Sequence, residues 1–197
     1  MGSDYWQFPS PDYVDVVGAR VTAAGAIDAA PLPIATGPPD QVLVAIGSDR
    51  RDYLVVYRLS KMDGTRVLAA KRMLREGQLD GAVPSDDGTI IASVDYPTSV
   101  AVAYVGGYWI GWTHDDGGTD SILLAHIDTQ GKPEQAITLA SNPTLLPSAS
   151  ISLAEAPGQA LQIAYSRRVT EGVYASTSRV FVRLAGDFAS RSRAVRH

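Results

Sequence analysis

The sequence predicts an all-β protein, namely part of a β-propeller with about three and a half four-stranded antiparallel blades. Two sequence markers that recur with nearly the same period predict this fold class. Each period of about 50 residues also contains four short runs of small, β-branched and aromatic residues, separated by glycine-rich turns. Four short strands per repeat are typical of a propeller blade. The alternative is a β-sandwich in which the similarity between units is accidental.

The first marker is a short strand that ends in an aromatic residue. Its closing residues are Tyr57, Trp112 and Tyr165, which are separated by 55 and 53 residues. Apolar residues fill consecutive positions in these strands, as expected when both faces of a sheet are buried between neighbouring sheets. We therefore expect the three strands to lie in the interior of the protein.

The second marker is a strand that ends in a glycine turn. The turn glycines are separated by 52, 54 and 55 residues, and the residue four positions before each of them is apolar. The glycines are Gly25, Gly77, Gly131 and Gly186, and the apolar residues before them are Val21, Met73, Ile127 and Val182. One period shared by two independent markers favours a true repeat.

The repeat divides the chain, as a single domain, into unequal units. The predicted units are blade remnants at 4–36, a blade at 41–93, a blade at 98–141, an incomplete blade at 147–186 and a polar tail at 187–197. An incomplete blade leaves unpaired backbone groups along one edge, beside an uncovered apolar face. We therefore expect a partner polypeptide or a second copy of the chain to complete the propeller.

Composition and charge exclude several classes of protein. Hydrophobic residues make up 45% and charged residues 19%, so the chain is expected to fold. The formal net charge of -4 argues against electrostatic binding of nucleic acid. The absence of cysteine excludes disulfides, cysteine zinc sites and thiol nucleophiles. No apolar run approaches the roughly 20 residues that span a bilayer, and no signal peptide is visible, so we expect no membrane insertion.

The sequence contains no recognisable catalytic pattern, which favours a protein that is not an enzyme. The three histidines lack metal-binding spacing, and Gly-x-Ser-x-Gly does not occur. His126 shares a strand position with Arg20 and Arg72, which predicts a polar strand residue. The segment 85–89 resembles the Asp-box of sialidase-type propellers, but it is one residue short and lacks the closing aromatic residue.

An acidic loop in the third unit is the candidate metal site. Asp115, Asp116 and Asp120 lie near two glycines, and their carboxylate oxygens are hard ligands suited to calcium. The loop lacks the spacing and the final Glu of an EF-hand. Because Asp and Gly are also common in turns, a plain turn is the alternative. No other cofactor is expected.

The loops between the second and third strands of each unit are the expected ligand contacts, because variable loops on a rigid scaffold carry function. These loops are predicted at 58–65, 113–119 and 166–176, and they differ in length and character. The candidate contact residues are Arg58, His114, Asp115, Asp116, Arg167 and Arg168.

Two stretches carry a resemblance to a known repeat. They are 15–21, Asp-Val-Val-Gly-Ala-Arg-Val, and 107–116, Gly-Tyr-Trp-Ile-Gly-Trp-Thr-His-Asp-Asp. They resemble a propeller-like repeat of about 50–55 residues per blade in large secreted or surface proteins of bacteria, including myxobacteria. The fourth unit departs from this pattern at Gln162 and Ala164. The resemblance implies an extracellular or cell-envelope location and a binding or structural role.

These observations lead to hypotheses of different classes. The first is a non-enzymatic binding or assembly module of a secreted or surface bacterial protein. The alternative is a fragment of a propeller-fold glycan hydrolase or lyase whose catalytic residues lie on missing blades. A buried cluster of carboxylates or a histidine facing the central channel would favour the enzyme. A third hypothesis is a subunit whose sole task is to complete a partner's ring.

Overall fold

The structure is a computed structural model that describes residues 14–27, 30–38, 40–94, 99–115, 119–142, 150–168, 172–173 and 177–185. Within these residues the chain forms thirteen β-strands and no helix. The strands form four antiparallel sheets. The expectation of an all-β protein is therefore confirmed.

The four sheets follow one another along the chain, and in each of them consecutive strands are neighbours. Sheet 1 contains β1 (Val16–Gly18) and β2 (Leu32–Ala35). Sheet 2 contains β3 (Asp40–Ser48), β4 (Tyr53–Ser60), β5 (Arg66–Met73) and β6 (Thr89–Ser93). Sheet 3 contains β7 (Val100–Tyr104), β8 (Tyr108–Asp115), β9 (Asp120–Ile127) and β10 (Ile137–Asn142). Sheet 4 contains β11 (Ile151–Ala156), β12 (Ala160–Arg168) and β13 (Ser178–Ala185).

Successive sheets pack face to face, so that each hydrophobic core lies between two sheets. One core joins sheets 1 and 2, a second joins sheets 2 and 3, and a third joins sheets 3 and 4. We call the face that a sheet turns toward the preceding sheet its front, and the opposite face its back. Sheets 2 and 3 therefore bury both their front and their back.

The central strand β4 shows why the sequence is continuously apolar there. Side chains alternate between the two faces of a strand. Val55 and Tyr57 lie on the front, in the core shared with sheet 1, whereas Leu54 and Val56 lie on the back, in the core shared with sheet 3. All four are at most 4% exposed. The prediction that both faces are buried is confirmed for this strand.

The closing aromatic residues of the first marker occupy equivalent places in three sheets. Tyr57, Trp112 and Tyr165 lie on the fronts of sheets 2, 3 and 4, each in a different core. They are 0%, 0% and 2% exposed. Because aromatic side chains bury the largest apolar areas, these residues contribute much of the stability of each interface between sheets.

The glycine turns of the second marker recur in the structure. Gly25, Gly77 and Gly131 have φ angles of +82°, +86° and +82°, which residues with a Cβ rarely adopt. In each turn the glycine N–H donates to the carbonyl oxygen three residues earlier, at 2.9, 2.8 and 3.0 Å. The same hairpin therefore follows β1, β5 and β9. Gly186 lies outside the described residues.

The register of sheet 4 differs from the one that the second marker implies. Met73 and Ile127 end β5 and β9, and the marker aligns Val182 with them. In the structure Val182 lies three residues before the end of β13. This register places Phe181 against Tyr165 on the front of the sheet, with ring centroids 5.6 Å apart. The alignment of Val182 with the other two residues is therefore wrong, because packing between β12 and β13 overrides the distance to the glycine.

A glycine in β3 lets sheets 2 and 3 approach closely. A Cβ added at Gly47 would overlap Cγ1 of Val102 in β7 and lie 2.9 Å from its Cβ. The first strands of the two sheets therefore meet with no room for an additional carbon atom.

We predict that Gly47→Ala lowers the free energy of unfolding by about 2 kcal/mol, because overpacking forces the two strands apart. Adding Val102→Ala should recover much of this loss, because it removes the atoms that clash. Urea denaturation of both single variants and the double variant measures the coupling between the two positions. Strictly additive losses would show that the two residues do not limit the approach of the sheets.

Candidate functional site

A cleft of about 730 Å³ opens between sheets 2 and 3, at the end of the sheets where β4 begins and β5 ends. Charged and aromatic side chains line it, including Asp49, Arg72, Asp80, Asp86, Tyr104 and Tyr108. A concave surface with several converging polar groups is the first place to look for ligand binding. The cleft is therefore the candidate functional site.

Arg72, near the end of β5, is the centre of a charged cluster in this cleft. Its Nη2 lies 2.7 Å from Oδ2 of Asp52 and 3.6 Å from Oδ2 of Asp49, and its Nη1 lies 3.2 Å from Oδ2 of Asp80. Asp52 is buried, with 2% of its surface exposed. Because a buried carboxylate needs a partner, Arg72 neutralises a charge that the turn before β4 places inside the protein.

Asp49 builds the turn between β3 and β4. Its Oδ1 accepts hydrogen bonds from the backbone N–H groups of Arg51 and Asp52, at 2.8 and 2.6 Å. Burial raises the pKa of Asp49, but these hydrogen bonds and the charge of Arg72 outweigh it, so that the pKa lies below its usual value. The carboxylate is therefore ionised at neutral pH and is engaged in holding the turn.

Tyr108 closes the cleft from the side of sheet 3. Its hydroxyl donates to the backbone carbonyl oxygen of Asp52 at 3.3 Å, which links the two sheets. Burial and the negative charge of Asp49 raise the pKa of Tyr108 to about 12. The tyrosine therefore remains protonated at neutral pH and acts as a hydrogen-bond donor between the sheets.

Lys71 forms a second charged cluster beside the first. Its side chain is fully buried, and its Nζ lies 3.0 Å from Oδ1 of Asp86. The same nitrogen donates to the carbonyl oxygen of Val83 at 2.9 Å. Asp86 in turn accepts hydrogen bonds from the backbone N–H groups of Val83 and Gly88, both at 3.0 Å. The segment 85–89, which resembles an Asp-box in sequence, is thus a turn that covers and neutralises the buried lysine.

The pKa of Asp86 reflects this structural role. Burial raises the pKa, but the hydrogen bond from Val83 and the interaction with Lys71 lower it by more, so that the net shift is downward. The neighbouring Asp87 pairs with Lys61 at 2.7 Å, and its carbonyl oxygen accepts a hydrogen bond from Tyr57 at 2.8 Å. The long connection before β6 is therefore fixed to the core of sheet 2.

The charged groups of the cleft are engaged with one another. A general acid or base needs a group that exchanges a proton near the working pH. Asp49 and Asp86 instead have lowered pKa values and are bound to backbone amides and to Arg72 and Lys71. The described contacts hold the loops of sheet 2 in place and tie them to sheet 3. The sequence indicated the position of Arg72, but nothing in it indicated which acids would surround this arginine.

In sheet 3, His126 occupies the strand position that Arg72 has in sheet 2. Its ring stacks on Trp109 with centroids 4.5 Å apart. Gly107, with a φ of +155°, stands where sheet 2 has Asp52, and a Cβ there would overlap Nε2 of His126. The glycine therefore makes room for the imidazole ring. Sheet 3 therefore has a histidine beside a glycine where sheet 2 has Arg72 paired with the buried Asp52.

The predicted contact residues lie at the opposite end of the sheets from the cleft. Arg58 is in β4, His114 and Asp115 are in β8, and Arg167 and Arg168 are in β12. They belong to strands because the backbone pairing continues beyond the closing aromatic residues. The structure places these five near corresponding strand ends of three different sheets. Asp116 lies outside the described residues, and the role of all six as ligand contacts stays a prediction.

The candidate calcium site is described in part. Asp115 and Asp120 are directly opposite each other at the ends of β8 and β9. Asp116 lies outside the described residues. In the part of the chain that the structure describes, no three His, Asp or Glu side chains are grouped as a metal site requires. Calcium binding by this loop stays a prediction.

Comparison with known proteins adds no family to this description. No protein-family model matches the sequence, and no curated protein is significantly similar to it. Among the described residues, no helix is long and apolar enough to cross a membrane. The resemblance to bacterial surface repeats therefore rests on the residues quoted above.

We predict that Arg72→Met lowers the free energy of unfolding by about 3 kcal/mol, because it removes the nearer of the two arginines that pair with the buried carboxylate of Asp52 and leaves Arg51 at 4.0 Å. Arg75→Ala is the matched control. Its ion pair with Glu76 is exposed, and its loss should cost at most about 0.5 kcal/mol. Urea denaturation followed by circular dichroism measures both changes. Similar small losses for the two variants would refute the structural role of Arg72.

We predict that the chain loses stability as the pH falls below about 4, because Asp49 and Asp86 have folded-state pKa values below their unfolded values. Their stabilising effect is complete above about pH 5 and disappears as they become protonated. Asp86→Asn should lower the stability at pH 7 and flatten this dependence. Glu76→Gln, whose ion pair with Arg75 is exposed, is the control. An unchanged slope in Asp86→Asn, measured by urea denaturation between pH 3 and 7, would contradict the prediction.

Proposed function

We propose that the chain is a partial β-propeller that acts as a non-enzymatic binding and assembly module of a secreted or surface bacterial protein. A partner polypeptide or a second copy of the chain completes the propeller. One observation carries this proposal. The two outermost sheets expose apolar side chains on their outer faces, whereas the side chains of sheet 2 that are equivalent to Val17, Val180 and Val182 are buried.

The back of sheet 4 is the first of these outer faces. In β13, Val180, Val182 and Leu184 are 74%, 57% and 69% exposed. Val182 has the same ladder position as Ala70 and Leu124 in sheets 2 and 3, which are 2% and 1% exposed. Exposed apolar side chains such as these in β13 are typical of a surface that contacts another protein.

The front of sheet 1 is the second outer face. Val17 in β1 is 55% exposed, whereas its equivalent in β5, Ala69, is fully buried against sheet 1. Val21 and Ile27, which pair beside the first glycine turn, are 60% and 68% exposed. Both ends of the stack of sheets are therefore suited to binding a further sheet.

A propeller accounts for the stacking of the sheets better than a sandwich does. A β-sandwich packs two sheets, and each of them buries one face. Sheets 2 and 3 each bury two faces. Consecutive four-stranded meanders that pack on one another are expected of successive propeller blades. The bacterial and extracellular setting is supported by the resemblance of 15–21 and 107–116 to surface repeats.

The alternative is a fragment of a propeller-fold glycan hydrolase or lyase. The observation in its favour is the buried Asp52 beside a cleft that also contains Asp49 and Tyr104. Glycosidases generally use two carboxylates that flank the bond to be cleaved. In this cleft both Asp49 and Asp52 contact Arg72, which favours the binding module.

We predict that the wild-type chain is larger than a monomer in light scattering at micromolar concentration, because association buries its apolar outer faces. Charging both faces in one chain, with Val21→Asp and Val182→Asp, should produce a folded monomer. Met62→Asp is the matched control. This residue is 82% exposed in the turn between β4 and β5. The variant should form an assembly of the same mass as the wild-type chain. A wild-type chain that is a folded and soluble monomer would contradict the proposal.

A further inference from the structure

We infer that a second copy of this chain covers both outer faces, and that the two copies join head to tail. The front of sheet 1 in one copy packs on the back of sheet 4 in the other. This inference rests on the proposed function, because it specifies which polypeptide completes the propeller. It follows from the way in which the sheets of a single chain already pack.

Successive interfaces are built from equivalent residues, since Tyr57, Trp112 and Tyr165 have equivalent ladder positions and each faces the preceding sheet. Leu68 on the back of sheet 2 shares a core with Trp112 on the front of sheet 3. Leu124 on the back of sheet 3 shares the next core with Tyr165 on the front of sheet 4. The two outer faces of the chain are one back and one front. They are therefore the two halves of an interface that the chain already forms between its own sheets.

The outer faces also match each other where the inner interface is polar. Between sheets 2 and 3, Arg72 on the back and Ile127 on the front both line the cleft. The equivalent residues of the outer faces are Leu184 on sheet 4 and Val21 on sheet 1, which are 69% and 60% exposed. The outer faces thus have two apolar side chains at the positions where the inner interface has an arginine and an isoleucine. A head-to-tail contact brings these two side chains together without burying a charge.

Two copies supply enough strands for a closed ring. One copy contributes thirteen strands within its described residues. Two copies therefore contribute about six and a half four-stranded blades, and closed propellers have about four to eight. When two copies are related by a two-fold axis, the head-to-tail contact occurs twice and the two copies form a closed ring. Such a dimer leaves neither outer face exposed.

Mixing two complementary variants tests this arrangement. Val182→Asp charges the back of sheet 4, and Val21→Asp charges the front of sheet 1. In a head-to-tail dimer either variant alone damages both contacts, and we expect self-association to weaken about 100-fold. An equimolar mixture should recover a dimer, because one of its two contacts then joins two unaltered faces. Sedimentation velocity with a fluorescent label on one variant measures this recovery.

The outcomes separate this inference from the proposed function. If the wild-type chain associates but the mixture of the two variants does not form a dimer, the head-to-tail arrangement is overturned. The proposed assembly function would then still stand. A Val21→Asp chain that dimerises like the wild type would also overturn the head-to-tail arrangement, because the contact would then be back to back. A monomeric wild-type chain would refute the proposed function itself. Circular dichroism verifies folding, and Val17→Asp with Val180→Asp replaces the first pair if either member fails to fold.

Discussion

The burial of both faces of an inner sheet is the constraint on which the rest of the structure depends. Along β4, adjacent residues belong to different cores, with Val55 facing sheet 1 and Val56 facing sheet 3. A strand under this constraint has no solvent-facing side on which polar residues are favoured. Its continuous apolar sequence therefore requires a neighbouring sheet on each side. The same requirement, applied to the first and last sheets, leaves one apolar face on each without a neighbour in the described chain.

The polar cleft lies where these apolar interfaces end. There the turn before β4 places the carboxylate of Asp52 inside the protein, and Arg72 reaches it from the end of β5. Sheet 3 has a glycine and a histidine at the same two positions, and sheet 4 has Leu184 at the second. Equivalent positions thus hold a charged residue in sheet 2, a histidine in sheet 3 and an apolar residue in sheet 4. The change to an apolar residue occurs in the sheet whose back is an outer face of the chain.

The proposed function rests on the packing of the sheets more than on any single side chain. The charged groups of the cleft hold the loops of sheet 2, as the contacts of Lys71 with Asp86 illustrate. The outer faces expose apolar side chains, which supports the proposal that the chain associates with another polypeptide.

The sequence by itself determined the features that depend on local physics. The buried aromatic residues Tyr57, Trp112 and Tyr165 and the turn glycines Gly25, Gly77 and Gly131 recur with nearly one period, because strand burial and a positive φ angle each restrict the residues that fit. The tertiary structure alone decided the partners of Arg72 and the register of β13. Arg72 meets an aspartate twenty residues away, and the stacking of Phe181 on Tyr165 shifts Val182 from the position that its glycine spacing implied. Such contacts depend on which strands become neighbours in space, and the spacing of residues along one chain does not contain that information.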